Sequence, residues 1–157
     1  MCAFAKTLLR LLGRVPVALV LLAAALSGHR SEAQEATAFR VIVSTANPVS
    51  SLTRDETSRL FLRKVVTWKS GDAVRPVDQT ADSPARQSFS KAIHRKDIVA
   101  VKRYWSELTF TGQGAPPAER ASDGEVVAFV AGSRGAIGYV GPGAPLGRRV
   151  KAIRIVE

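Results

Sequence analysis

From residue 38 onward the chain switches repeatedly between short β-branched runs and stretches in which apolar residues recur every three or four positions. Ala38-Phe39-Arg40-Val41-Ile42-Val43-Ser44 is of the first kind and predicts a strand. Asn47-Pro48-Val49-Ser50-Ser51 breaks it. Thr53-Arg54-Asp55-Glu56 has capping-box spacing, which predicts a helix with Leu60 and Phe61 on its buried side. Val65-Val66-Thr67-Trp68 is a short apolar piece, extended or turned and anchored by its Trp, and Ser70-Gly71-Asp72 is a turn. Val74-Arg75-Pro76-Val77-Asp78 predicts a second strand, with Pro76 placing it at a sheet edge or at the strand's end.

Asp82-Ser83-Pro84 opens a second helix, Asp82 or Ser83 serving as cap and Pro84 lying in the first turn, where a missing N–H costs nothing. Ala85, Phe89, Ala92 and Ile93 form its apolar face. From Asp97 to Leu108 the residues Ile98, Val101, Trp105 and Leu108 make an amphipathic helical stripe, expected to be core. Phe110 to Pro117 reads as a loop bearing Gly and Pro. Ser122-Asp123-Gly124-Glu125 is a second capping box, opening a helix with Val126, Val127, Phe129 and Val130 that stops at Gly132. Gly135 to Gly141 predicts a buried strand whose glycines permit close backbone approach, and Val150 to Val156 a last strand in which Lys151 and Arg154 break the alternation. Strands interleave with helices, so the fold class is α/β.

The first 33 residues follow a different pattern. Lys6, Arg10 and Arg14 precede the uncharged apolar run Val15–Leu26, which is too short for the roughly 20 residues of a bilayer span. Ser31-Glu32-Ala33 presents small residues at the −3 and −1 positions, so residues 1–33 read as an export signal cleaved after Ala33, with an uncleaved anchor as the alternative. Cys2 precedes the apolar run and is not placed as a lipoprotein cysteine. The expectation is a periplasmic or secreted domain over residues 34–157, a single domain with one core and no stable membrane insertion after cleavage.

Residues 34–157 carry 19 Lys and Arg against 12 Asp and Glu, a net charge of +7 that suits an anionic partner. The basic residues are scattered in pairs such as Arg63-Lys64 and Arg148-Arg149, with no stripe interleaved with aromatics, so nucleic acid is not expected. Cys2 is the only cysteine of the chain, so the domain has no disulfide and no thiolate chemistry. His94 is its one histidine, expected at the surface near a helix C-terminus and not as a metal ligand. Neither a cofactor nor a metal is implied.

The catalytic templates are missing: there is no G-x-S-x-G, H-E-x-x-H or G-x-x-x-x-G-K-[ST]. The glycines from Gly132 to Gly147 follow a helix and precede a strand, the reverse of a dinucleotide fingerprint. With no nucleophile–base pair, an enzyme is not expected. The segment Asp78 to Arg86 is the remaining candidate. It passes from strand to helix, so free amides and the positive dipole end meet there, with the Ser83 hydroxyl and the Arg86 guanidinium close by. On the residues alone a plain helix cap by Asp82 or Ser83 is the favoured reading, since Asp82 satisfies those donors itself and repels an anion.

The order of the pieces resembles one lobe of the phosphate-binding proteins that feed ABC transporters. The matching stretches are Asn47-Pro48 with Leu52, Leu60-Phe61-Leu62-Arg63-Lys64 with Trp68, Ser83-Pro84-Ala85-Arg86 with Phe89, and Val126–Val130 followed by Gly135-Ala136-Ile137-Gly138-Tyr139-Val140. They cover about residues 40–141. The resemblance implies a single lobe of a type II periplasmic-binding-protein-like fold, a mixed sheet flanked by helices. It implies an oxyanion site at Ser83 and the first turn of its helix, with phosphate or a similar oxyanion as ligand and a membrane transporter or sensor as partner. At the family's Ser-Gly-Thr the chain has Ser83, Pro84 and Ala85, and the family's arginine four residues before the serine falls at Gln79, leaving Arg86 as the nearby cation. Two functional expectations follow: a binding domain for an oxyanion, serving uptake or sensing, or an envelope interaction module that kept the lobe and lost the ligand.

Overall fold

The structure, a computed structural model, describes residues 38–157. The export signal expected over residues 1–33 lies outside the described residues. Among the described residues seven strands and four helices follow one another: β1 Arg40–Ser44, β2 Ser51–Thr53, α1 Arg54–Phe61, β3 Arg75–Gln79, α2 Pro84–Phe89 continuing into a π-helical turn at Ser90–His94, α3 Ile98–Phe110, β4 Ala118–Arg120, α4 Asp123–Ala131, β5 Ala136–Val140, β6 Val150–Ala152 and β7 Arg154–Val156.

Five strands form one mixed sheet in the order β4-β3-β5-β1-β6, and β2 pairs with β7 in a separate parallel pair. Within the main sheet β3 runs parallel to both β4 and β5, while β1 runs antiparallel to β5 and β6. Alternate residues of the central strands serve two layers. Val41, Val43, Ile137 and Tyr139 pack with Leu60, Phe61, Ala85 and Phe89 of α1 and α2. Ile42, Val77, Ala136 and Val140 pack with Val126 and Val130 of α4. Gly138 faces α4 at such close range that a Cβ there would stand 2.7 Å from Val126 Cγ1 and 2.8 Å from Val77 Cγ1. Helix α3 belongs to a smaller cluster, in which Val101 and Trp105 cover Leu62. No helix among the described residues is long and apolar enough to cross a membrane.

The helix starts follow the sequence closely. Thr53 and Glu56 form the reciprocal capping box, Ser83 caps α2 with Pro84 at the first position, and Asp97 caps α3. At α4 the box is only half made: Ser122 Oγ accepts the Glu125 N–H at 3.3 Å, but Glu125 Oε2 reaches past the cap to the Ala121 N–H at 3.0 Å.

Three expectations are corrected. The strand containing Pro76 is not at an edge but interior, between β4 and β5, and Pro76 takes the other expected place, at the strand's end, as its second residue. Proline is tolerated there because Arg75 N–H faces β5, where it meets Gly135 O at 2.9 Å, so the Pro76 nitrogen faces β4, whose ladder begins only at Val77. The single strand expected over residues 150–156 is two: β6 pairs with β1, and after the buried Ile153 the chain turns to pair β7 with β2. His94 is no surface cation. It is half-buried, its Nδ1 lies 2.9 Å from Ser58 Oγ, and its ring meets Phe89 edge-on at 5.2 Å. Burial first, then the Arg86 and Lys96 charges, lower its pKa to about 4, so the ring is neutral at pH 7.

Candidate functional site

Because β3, β4 and β5 are parallel, their carboxyl ends Gln79, Arg120 and Val140 lie along one edge of the sheet. Helices α2 and α4 begin on that same edge, directly after β3 and β4. Ligands of open α/β sheets bind outside such an edge, where loops and helix N-termini converge. The segment 79–86 singled out in the sequence lies here.

Gln79 is its centre. The side chain is 3% exposed and bridges three elements: Nε2 donates to Asp123 Oδ1 at 2.8 Å and to Tyr139 O at 3.0 Å, while Oε1 accepts the Ser83 hydroxyl. Two acceptors face Nε2, which fixes the orientation of the amide. Ser83 Oγ in turn accepts the Arg86 N–H at 3.3 Å, so the hydroxyl acts as cap and as donor to Gln79 at once. Gln87 N–H bonds to Ser83 O at 3.1 Å, and Pro84 has no N–H. The Ala85 N–H is the first-turn amide that neither the Ser83 side chain nor the helix ladder engages. Asp82 is exposed and does not cap the helix.

Arg86 turns away from the edge. It is 4% exposed and pairs through Nη1 with Asp78, with Nη1 also donating to Gln79 O at 3.3 Å and to Tyr139 Oη at 3.5 Å. Tyr139 Oη donates to Asp78 and accepts the Gln79 N–H at 3.1 Å. Burial is the main reason that the phenol is pushed far above its ordinary pKa, and it remains protonated and a donor. At the rim, the Asp123 carboxylate accepts the Gly141 N–H at 3.1 and 3.2 Å. Arg120 lies over the Phe129 ring at 5.2 Å.

The structure therefore brings Ser83, Ala85 and Gln79 together at the edge and places the Arg86 guanidinium beneath them, as the counter-charge of Asp78. Asp123 and Tyr139 are residues of this network that the sequence reading missed, and Asp78, the first residue of the candidate segment, was given no role in it. Asp78 could have been found as the acid that ends the strand before an arginine-bearing helix. Asp123 was legible only as a helix-start residue, and Tyr139 carries no local signal for its partners 60 residues upstream. Among the described residues no group of three or more His, Cys, Asp and Glu could hold a metal ion. As it stands the arrangement can offer neutral hydrogen bonds and a helix dipole to an anion, with no nucleophile and base in contact.

No protein-family model and no curated protein matches the sequence. Solved structures do. An ABC-type phosphate transport receptor from Vibrio cholerae aligns with a TM-score of 0.59 and 22% identity, covering 75% of this chain and 46% of that one. A putative phosphate ABC transporter substrate-binding protein with bound phosphate, from Clostridium perfringens, aligns at 0.60 and 19%, covering 75% and 44%. A possible phosphate binding protein from Planctomyces limnophilus aligns at 0.57 and 18%, covering 76% and 42%. The chain spans less than half the length of each of these structures. Its mixed sheet between helical layers is the fold of phosphate ABC transporter substrate-binding proteins.

Proposed function

We propose that this protein is an exported solute-binding domain that takes phosphate or a related oxyanion at the sheet edge around Ser83, for ABC-type uptake or sensing. The observation that carries the reading is the placement of Gln79, Ser83 and the unengaged Ala85 N–H at the carboxyl ends of parallel strands, in a fold shared with a putative substrate-binding protein solved with bound phosphate. Binding is by hydrogen bonds and dipole, without a covalent step: the Ala85 amide donates, and the Ser83 hydroxyl turns from Gln79 to the ligand. Arg86 supports the loop from below through its ion pair with Asp78. The net charge of +7 over residues 34–157 raises the local anion concentration. Residues 1–33 act as the export signal, with cleavage after Ala33, and a membrane transporter or sensor is the partner.

The experiment is calorimetric titration with phosphate, and with sulfate, of the wild type and of Ser83→Asp. Aspartate caps a helix as well as serine does but brings a negative charge to the site. The reading predicts saturable phosphate binding in the wild type and none in a Ser83→Asp variant that remains folded, since aspartate also loses the hydroxyl's donation to Gln79. Equal heats in both proteins, or none in either, contradict it and favour a ligand-free interaction module.

A further inference from the structure

Arg86 uses one corner of its guanidinium. Nη1 serves Asp78, Gln79 O and Tyr139 Oη, which together fix the guanidinium plane. Its Nε–H has no hydrogen-bond partner among the described residues, although the side chain is 4% exposed. Ser90, 1% exposed, has an equally unpartnered Oγ. The two residues lie one turn apart on one helix face, since the Ser90 N–H donates to Arg86 O. A helical serine often returns its hydroxyl to the carbonyl one turn back, and Ser90 does not. The π-helical turn Ser90–His94 begins at this residue, and such turns are frequent at functional positions.

Two buried, unpartnered polar atoms on adjacent turns outline a binding site, because the large majority of buried side-chain polar atoms have a hydrogen-bond partner. We propose that Arg86 Nε and Ser90 Oγ together hold one acceptor oxygen, which receives the Arg86 Nε–H and the Ser90 O–H. The site goes beyond the oxyanion reading, as it lies under helix α2 among buried side chains and not at the Ser83 loop. Asp78 already balances the Arg86 charge, so a neutral oxygen suffices. An internal water can supply it, bridging groups that would otherwise be unmet. An oxygen of a phosphate ion has the same chemistry.

The test is water-selective Overhauser spectroscopy on ¹⁵N-labelled protein, reading the Arg86 Nε–H resonance without and then with inorganic phosphate. A long-lived water signal at Arg86 Nε–H, lost in Ser90→Val, supports the site with water as occupant. A saturable shift of that resonance with phosphate, lost in Ser90→Val, supports the site with the anion as occupant. The proposal is overturned by an Arg86 Nε–H that shows neither signal, or by signals unchanged in Ser90→Val. Ser90→Ala repeats the comparison if the valine variant does not fold. The phosphate-free arm stands whether or not the protein binds phosphate, so failure here and failure of the oxyanion reading are told apart.

Discussion

Tyr139 stacks on Phe89 with ring centroids 4.0 Å apart and planes 10° from parallel, while its hydroxyl donates to Asp78 at the foot of the loop 79–86. One side chain thus belongs to the aromatic core of Phe39, Phe61 and Phe89 and to the polar network that positions Gln79. The aromatic half holds β5 against α2, and the phenolic half fixes where β3 ends.

Tyr139→Phe separates the two roles. The stack is kept, but Asp78 loses a donor and the buried Gln79 N–H loses its acceptor. Leaving buried groups unmet costs about 1–3 kcal/mol. Urea denaturation is expected to show a lower midpoint with an unchanged slope.

The Arg86–Asp78 pair is buried on both sides, at 4% and 7% side-chain exposure. Breaking such a pair by removing one partner costs about 3–5 kcal/mol, because the remaining charge stays buried, whereas apolar replacement of both is far milder. Arg86→Met is expected to be strongly destabilised, and Asp78→Leu with Arg86→Met to be more stable than either single variant. A double-mutant cycle by chemical denaturation measures the coupling.

Gly138→Ala tests the contact between β5 and α4. Its methyl group would meet two valine side chains inside 3 Å. Overpacking of this kind costs about 1–3 kcal/mol. Adding Val126→Ala is expected to recover part of the loss in melting temperature, since it removes one of the two clashes.

Stability should also fall in acid through His94. Its folded pKa of about 4 lies below the ordinary 6.5, so between those values the unfolded chain binds a proton that the folded protein refuses. The contribution is fully present above about pH 6.5 and is lost progressively as pH falls towards 4. It amounts to at most about 3 kcal/mol at 1.36 kcal/mol per unit, less where solvent reaches the ring. In His94→Gln the slope of stability against pH across that window is expected to flatten, as measured by denaturation at several pH values.

What was legible in the sequence was local. Thr53 with Glu56, Ser83 with Pro84, and Asp97 announce their helices because a cap lies within four residues of the groups it serves. The Ile98–Leu108 stripe follows from helical periodicity, and the buried strand Ala136–Val140 from a short continuous apolar run between glycines. What was not legible depends on distant partners. β4 is three residues in a Pro-flanked loop and becomes a strand only because β3 is beside it. The strand expected over residues 150–156 divides because two different strands claim its halves. Arg86 looks like an anion ligand from its place in the first turn of a helix. It is taken instead by Asp78, eight residues back across the loop, and by Tyr139, 53 residues on. Gln79 reads as a lost arginine in the sequence, whereas in the fold it is the amide that ties β5, α2 and α4 together.

The most direct test of the oxyanion site is a ¹H–¹⁵N titration of the protein with phosphate, following each backbone amide and the Gln79 side-chain amide. The account predicts saturable shifts concentrated at Ala85, in the loop 79–86 and at Gly141 across the edge. Shifts spread evenly over the surface, or none in a folded protein, would contradict it.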